Sequence, residues 1–575
     1  MARRTITKSL VGLSLLLSLC QAADTSCKNL PGDYGWPTPH DWAQLNQTVG
    51  GRLIATIPQA SICHPLPYYD YDATACTTLR EAWDLPQTYE LKPAEIMNPY
   101  FQNQSCDPYT PTTQPCELGN YAVYSINVTG AADVIAGIQF AKAKNVRLVI
   151  RNTGHDYMGK STGKGALSLW THNLKTADIM SNYTSTSYRG PSLKLGAGVI
   201  GGEAYEIASS RGYRVVGGTC ASVGIAGGYT SGGGHSLLNG KYGMAADNVL
   251  EWEVVTASGQ HLTATPTQNS DLYWALSGGG AGTFGVVLSM TTKLHPDGPI
   301  GGAALTFNDT TVGNEAFWDA VGVWFVYLPN FVDGPNTVDW EISNSTFSAL
   351  SFTAPDSNGT EVATLLAPFL AELVSRGIPY NFSTYTAASY VDHYVHDVGP
   401  LPYGGEPPTT LFSSRILPRA TMLDPTGNAA VIQSLRAATE GGDFFWGCHG
   451  LNVKNISHPE NAVLPAWRDA IAMCIAISFW DWTIPRSDML ARKEHLVDVI
   501  LPSIDAATPG SGTYLNEVDS LYKGDWKKEF YGVNYARLLD IKAKYDPDHF
   551  FWAYTAIGSD FWTLDGDGRL CAASS

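Results

Sequence analysis

The chain has 575 residues, 44% of them hydrophobic and 15% charged, with a formal charge of −17 at pH 7. This composition excludes a disordered chain, and the length predicts two or more domains, or one enzyme built from two packed ones. An acidic chain repels phosphate backbones, so no nucleic-acid partner is expected.

Arg3, Arg4 and Lys8 precede an apolar stretch, Leu10 to Leu19, and Cys20-Gln21-Ala22 offers small residues for cleavage. Ten apolar residues are too few to span a bilayer. Residues 1–22 are therefore predicted to be a signal peptide and the protein to be secreted. No later stretch approaches the roughly 20 apolar residues of a spanning helix, so no membrane association is expected. Losing three cations takes the charge from −17 to −20. Asn46, Asn103, Asn127, Asn182, Asn308, Asn344, Asn358, Asn381 and Asn455 head glycosylation sequons. N-glycans there would supply the solubility that charge does not. A monomer is expected.

Residues 23–115 are rich in Pro, Tyr, Asn and Cys and predict an irregular, disulfide-held entry segment. Without Cys20, nine cysteines remain, an odd number in a compartment that favours disulfides. Cys63 with Cys76 and Cys106 with Cys116 are candidate local pairs, although spacing leaves the connectivity open. Cys220, set among glycines, is the candidate free thiol.

From Tyr121 the texture changes. A helix is predicted over Ala131 to Lys144 and strands over Arg147 to Arg151, Ser192 to Leu195 and Val249 to Thr256, with a helix over Glu203 to Arg211. This α/β pattern runs to about Leu294. Between Ile300 and Pro509, strand-like runs (Ala303 to Phe307, Thr337 to Ile342, Phe347 to Phe352, Ile475 to Trp480) alternate with amphipathic helices, Glu361 to Arg376 and Met489 to Ile500. They predict a second α+β domain with a mixed or antiparallel sheet. The tail, Phe530 to Tyr545, reads as a helix ended by Asp546-Pro547.

Two segments fit the G-x-G-x-x-G dinucleotide pattern, Gly196 to Gly201 and Gly280 to Gly285. The first lacks an acidic residue about twenty positions on, and a strand follows the second; neither meets the context the pattern needs. The loop Arg151-Asn152-Thr153-Gly154-His155-Asp156-Tyr157-Met158-Gly159 leaves a strong strand and could wrap a pyrophosphate with its backbone N–H groups. Asp392 to Asp397, with His393 and His396, is read as a solvated polar helix face, and no metal is expected. There is no G-x-S-x-G nucleophile elbow, and Cys220 lacks the local signature of a cysteine protease.

Taken together, Arg151-x-x-Gly154-His155, Gly218-Thr219-Cys220-x-x-Val223-Gly224-x-x-Gly227-Gly228, Gly232-Gly233-Gly234 and Lys241-Tyr242-Gly243 to Val249 resemble the berberine-bridge-enzyme-like flavoproteins. These belong to the vanillyl-alcohol oxidase and p-cresol methylhydroxylase superfamily. Asp271 to Leu276, Gly278 to Val287, Asn534-Tyr535-x-Arg537-Leu538, Lys542 and Tyr545-Asp546-Pro547 extend the likeness. It covers about 115–298 and 510–558; residues 299–509 match only in general layout.

The resemblance implies an α+β fold: a two-part FAD-binding domain of the p-cresol methylhydroxylase type (116–298 and 510–575) with a substrate domain (299–509) inserted over the flavin. It implies FAD bound covalently through His155 and Cys220. Arg151, Asn152, Thr153, Gly154, Asp156, Gly159, Gly218, Gly224, Gly227, Gly228, Tyr229, Val287, Asn534 and Tyr535 would complete the cofactor site. The glycines would form a floor under the ring. Tyr229 departs from the histidine common in plant members. Val223 stands where the family gates oxygen, and a small residue there looks like an oxidase. Tyr514 to Asp519 resembles the family strand over the flavin, commonly Tyr-x-Asn-Tyr. Glu517 takes the place of its second Tyr as catalytic base, a carboxylate facing an apolar cavity.

The reading implied is a secreted oxidase acting on a small molecule (an alcohol, a carbohydrate or a secondary metabolite) with O2 as acceptor. Alternatives are a flavin dehydrogenase, an oxidative cyclase, or a non-catalytic glycosylated binding protein.

Overall fold

The computed structural model describes residues 27–68 and 70–573. The signal-peptide cleavage predicted after Ala22 lies outside the described residues. Three sheets organise the chain.

The first sheet is built from Leu53–Ala55 (β1), Tyr124–Asn127 (β2), Leu148–Arg151 (β3) and Leu167–Trp170 (β4), in the order β1-β2-β4-β3. β4 pairs parallel with both β2 and β3. The predicted helix forms over Ala131–Ala143 and buries Val134, Ile138 and Ala141, spaced along one face. Gly137 lets it approach the sheet: a Cβ there would stand 2.6 Å from a Leu169 methyl carbon. Apolar strands covered by a helix are what a parallel sheet requires.

The second sheet holds Ala177–Thr184 (β5), Arg189–Gly196 (β6), Val249–Val255 (β8), His261–Ala264 (β9) and Val286–Lys293 (β10), in the order β5-β6-β10-β8-β9. It is antiparallel throughout, whereas the alternating pattern of helices and strands suggested α/β order. Tyr213–Arg214 (β7) pairs with His295–Pro296 (β11).

The third sheet is wholly antiparallel. Its strands are Ile300–Asn308 (β12), Thr337–Ile342 (β13), Thr346–Pro355 (β14), Tyr380–Ala387 (β15), Thr410–Pro418 (β16), Phe445–Gly450 (β17) and Ala470–Phe479 (β18), ordered β15-β12-β14-β13-β17-β18-β16. Helices Asn314–Val332, Gly359–Ser375 and Pro425–Thr439 pack on it. Their seam is aromatic: Trp324 meets Trp340, Phe347 and Phe369 edge-on. Each such buried ring contributes ~1.5–3 kcal/mol.

The tail differs from the single helix predicted. Gly532, at φ +57°, breaks it into Trp526–Tyr531 and Tyr535–Tyr545. The second piece ends at Asp546, as the following proline requires. Inside it, Lys542 pairs with Asp546 at 2.6 Å, both side chains fully buried. Lys542 also donates to the carbonyls of Thr283 (2.7 Å) and Phe551 (2.8 Å). The tail is thereby locked to the Gly280–Gly285 loop.

Four disulfides are present among the described residues. Cys63–Cys76 and Cys106–Cys116 are the local pairs anticipated. Cys448–Cys474 crosses β17 and β18, and Cys27–Cys571 joins the chain's two described ends across 544 positions. Cys220 is free. No described helix is long and apolar enough to cross a membrane.

Candidate active site and cofactor cavity

β3 delivers the loop 151–159. Arg151 is buried, and its guanidinium donates to the carbonyls of Glu95 (2.6 Å), Tyr89 (2.7 Å) and Thr153 (3.2 Å). Its side chain therefore anchors the loop to the entry segment instead of facing a ligand. Thr153 is buried too. Gly154 needs its φ of +95°, and its carbonyl accepts from Met97 N at 3.2 Å. Asp156 is likewise spent on the loop, accepting from Met158 N and from the Ser161 amide and hydroxyl. At Gly159 the Phe101 ring occupies the place of a Cβ. These contacts shape the turn that presents His155.

His155 and Cys220 come together from positions 65 apart. His155 Nε2 lies 4.0 Å from Cys220 Sγ, and Ser222 Oγ stands between them, 2.8 Å from Nε2 and 3.3 Å from Sγ. Both side chains are half-buried. Enclosure by protein lowers the His155 pKa to about 4, so the ring is a neutral nucleophile. Enclosure first, then the charge of Glu406, push the Cys220 thiol up to about 12.

A cavity of about 100 Å³ is reached from the same loop through Asn152; His155 and Cys220 are not among its lining residues. Its walls include Ile150, Gly227, Gly228, Gly282, Val287 and the Phe551–Ala553 segment, and Lys160 is its single charged lining residue. Asn152 and Ser231 also line it, and Asn152 Oδ1 and Ser231 Oγ are buried without a protein partner.

Gly227 and Gly228 of the glycine run line the cavity, and other glycines of the run are required by packing. A Cβ on Gly224 would sit 2.2 Å from Asn152 Nδ2, one on Gly232 2.3 Å from Asn516 Nδ2, and one on Gly218 3.1 Å from the Tyr229 ring. Gly218 in turn accepts from the Tyr205 hydroxyl at 2.6 Å. Tyr229 is buried and donates to the His235 carbonyl (2.8 Å). Asn534 and Tyr535 are not among the cavity's lining residues. Asn534 binds the carbonyls of Ala462 and Val463, and Tyr535 packs on Trp526 and Tyr531.

Tyr514 to Asp519 is a turn rather than a strand: Glu517 N donates to Tyr514 O at 2.9 Å. Asn516 Nδ2 donates to Gly228 O (2.8 Å) and to the Tyr514 hydroxyl (2.7 Å), fixing the turn over the glycine run. Glu517 Oε1 lies 3.0 Å from His235 Nε2, while Oε2 has no partner. The Glu517 surroundings are thus polar, against the apolar cavity expected. The His235 ring also lies 5.0 Å from that of His449, in a tilted arrangement, and His449 Nδ1 meets Asp339 at 2.5 Å. Burial lowers the His235 pKa, but the charge and hydrogen bond of Glu517 outweigh it and the net shift is upward. Glu406 reaches solvent within the cleft, yet enclosure and then the like charges of Asp339, Glu341 and Glu517 raise it to about 7. Tyr157 stacks on Phe412 at 4.7 Å, and burial raises its pKa. Val223 follows Cys220 in the same turn, half-buried, its N donating to Cys220 O.

Sequence reasoning missed Lys160, Ser222, His235 and Glu406 as site residues. Gly234-His235 and Ala221-Ser222 sat inside segments already singled out, but nothing local marks which side chain turns inward. His393 was read as solvated; it is buried, bonded to Thr353 (2.8 Å) and to the Tyr385 hydroxyl (2.7 Å). Among the described residues no cluster could hold a metal.

A neutral histidine next to a free thiol, together with a mainly apolar cavity that holds orphaned polar atoms and one cation, fits a flavin dinucleotide. The fold and site define a flavin-dependent oxidoreductase. Residues 124–265 match an FAD binding domain, and 513–558 match the "Berberine and berberine like" model. The chain is 55% identical over 573 residues to a bifunctional decalin synthase of Penicillium decumbens, covering 99% of this chain and all of that one. The crystal structure of the VAO-type flavoprotein MtVAO615 from Myceliophthora thermophila superposes with TM-score 0.93 at 51% identity, over 95% of this chain and 100% of that one. A glucooligosaccharide oxidase of Acremonium strictum, described as carrying 6-S-cysteinyl, 8α-N1-histidyl FAD, shares the fold at TM-score 0.62 and 19% identity, over 76% of this chain and 92% of that one. The chain belongs to the VAO-type, berberine-bridge-like family of FAD-linked oxidoreductases: it is an FAD-dependent enzyme.

Proposed function

We propose that this enzyme is a secreted oxidase whose FAD is attached through His155 and Cys220 and whose proton acceptor is Glu517 paired with His235. The observation that carries it is the convergence of a neutral imidazole and the one free thiol among the described residues, 4.0 Å apart, with Asn152 of the same loop lining the cavity. The flavin would accept a hydride from a substrate C–H and hand the electron pair to dioxygen, giving hydrogen peroxide. The chain's own groups do the rest. Asn152, Ser231, Gly227, Gly228 and Lys160 would hold the dinucleotide, Lys160 supplying a cation for its pyrophosphate. Glu517 Oε2, unpartnered, takes the proton from the substrate hydroxyl or carbon acid, and His235 steadies the carboxylate. Tyr514, bonded to Asn516, positions that turn. Val223 leaves oxygen a path beside Cys220.

Secretion is supported by four disulfides, and glycosylation by the fact that none of the nine sequon asparagines is buried. The substrate class is an alcohol, a carbohydrate or a secondary metabolite. A second reading, oxidative cyclisation within a biosynthetic route, is favoured by the decalin synthase relative. Peroxide release across a substrate panel, with flavin bleaching under anaerobic conditions, tests both. Bleaching without peroxide on admission of air turns the assignment to a dehydrogenase, and no bleaching with any substrate favours a binding protein.

A further inference from the structure

Ser222 is fully buried, yet its hydroxyl is the one group that touches both proposed attachment residues. It is 2.8 Å from His155 Nε2 and 3.3 Å from Cys220 Sγ. Among the described residues, His155 makes its hydrogen-bond contacts through Nε2 alone. A neutral imidazole carries one proton and one lone pair, on different nitrogens, and the hydrogen bond at one nitrogen decides which is which.

We propose that Ser222 is a positioning residue for flavin attachment, resting on the bicovalent reading above. Nε2–H donates to Ser222 Oγ, which leaves the lone pair on Nδ1, the atom free to bond the flavin 8α-methyl carbon. The Ser222 hydrogen then points to Cys220 Sγ, fixing the sulfur that would bond the ring's C6. One hydroxyl thus sets the reactive nitrogen of the first anchor and the placement of the second. The histidine bond replaces one C–H at the 8α carbon, and the imidazole then gives up its Nε2 proton; the cysteine bond replaces one C–H at C6 and one S–H. The two electrons and two protons released at each step pass to a two-electron acceptor, for which dioxygen serves. The raised thiol pKa and the lowered imidazole pKa agree with histidine bonding first.

The test uses full-length Ser222→Ala and Ser222→Thr proteins purified with their flavin. Intact mass after denaturation gives the fraction retaining FAD. The acid supernatant gives non-covalent FAD. Proteolysis and hydrolysis release the histidyl flavin, whose two ring-nitrogen isomers are then resolved. The wild type is expected to hold a single isomer, linked through Nδ1. Ser222→Ala is expected to retain about tenfold less covalent flavin, by analogy with the loss of metal affinity when a metal-bound histidine loses its orienting partner. Its residual flavin should be split between both nitrogens. Ser222→Thr, which keeps the hydroxyl, should restore a single isomer. Full occupancy with one isomer in Ser222→Ala overturns the proposal, and so does a Ser222→Thr protein as depleted as Ser222→Ala. A wild type that releases all its flavin overturns the bicovalent reading, and this proposal with it.

Discussion

His235 and Glu517, 282 positions apart, meet with Nε2 and Oε1 at 3.0 Å above the glycine run. The pair behaves as one proton acceptor, because a proton arriving at the carboxylate is shared with the ring. The His235 pKa is raised above the ordinary 6.5. The pair is therefore loaded with a proton at low pH and becomes a competent base only as pH rises through that raised value. The flavin-reduction rate is expected to climb with pH with a midpoint above 6.5. A raised histidine pKa also means that the pair stabilises the fold fully below the unfolded pKa, and that this contribution fades as pH rises through the folded one. Stability should fall where rate rises. Stopped-flow reduction and thermal melts over the same pH series check this. Glu517→Gln should slow reduction by ~10²–10⁴-fold, and His235→Gln should flatten the pH profile.

The two anchors differ in readiness. His155, neutral down to about pH 4, needs no activation, whereas the Cys220 thiol, pushed up to about 12, holds its proton. Cys220→Ala should keep flavin on His155, while His155→Ala should lose most covalent flavin. Peptide mapping by mass spectrometry reads both. Flavin retained on Cys220 alone at wild-type yield would reverse the order assigned.

Lys542 and Asp546 form a fully buried pair that ties the tail to Thr283 and Phe551. Lys542→Met leaves Asp546 uncompensated and should cost ~3–5 kcal/mol. Because Gly282, Gly285 and Phe551 line the cavity, the melt should show lost flavin retention together with lost stability.

Gly224 is held as glycine by a neighbour rather than by its own φ. Gly224→Ala puts a Cβ 2.2 Å from Asn152 Nδ2 and breaks its 2.6 Å bond to Ala197 O. A loss of ~1–3 kcal/mol is expected from the orphaned carbonyl. Denaturant midpoints measure it, and Asn152→Ala in the same chain should relieve the clash.

Much was legible in the chain itself, because it is carried by local rules. Hydrophobic spacing marked the helix at Ala131 and the strands β3 and β8, and Pro547 ended the tail helix. The odd cysteine count pointed to a free thiol at Cys220, and short loops gave two disulfides. The motifs around His155 and Cys220 pointed to the family.

What only the tertiary structure decided depends on which side chains converge from distant segments, and local spacing does not encode that. Arg151 and Asp156 carry motif positions yet turn to backbone groups, because a buried guanidinium or a loop carboxylate must find partners where it lies. Asn534 docks a carbonyl segment for the same reason. Ser222 and His235 look ordinary in sequence and become central only when the fold sets one between two anchors and the other against a glutamate.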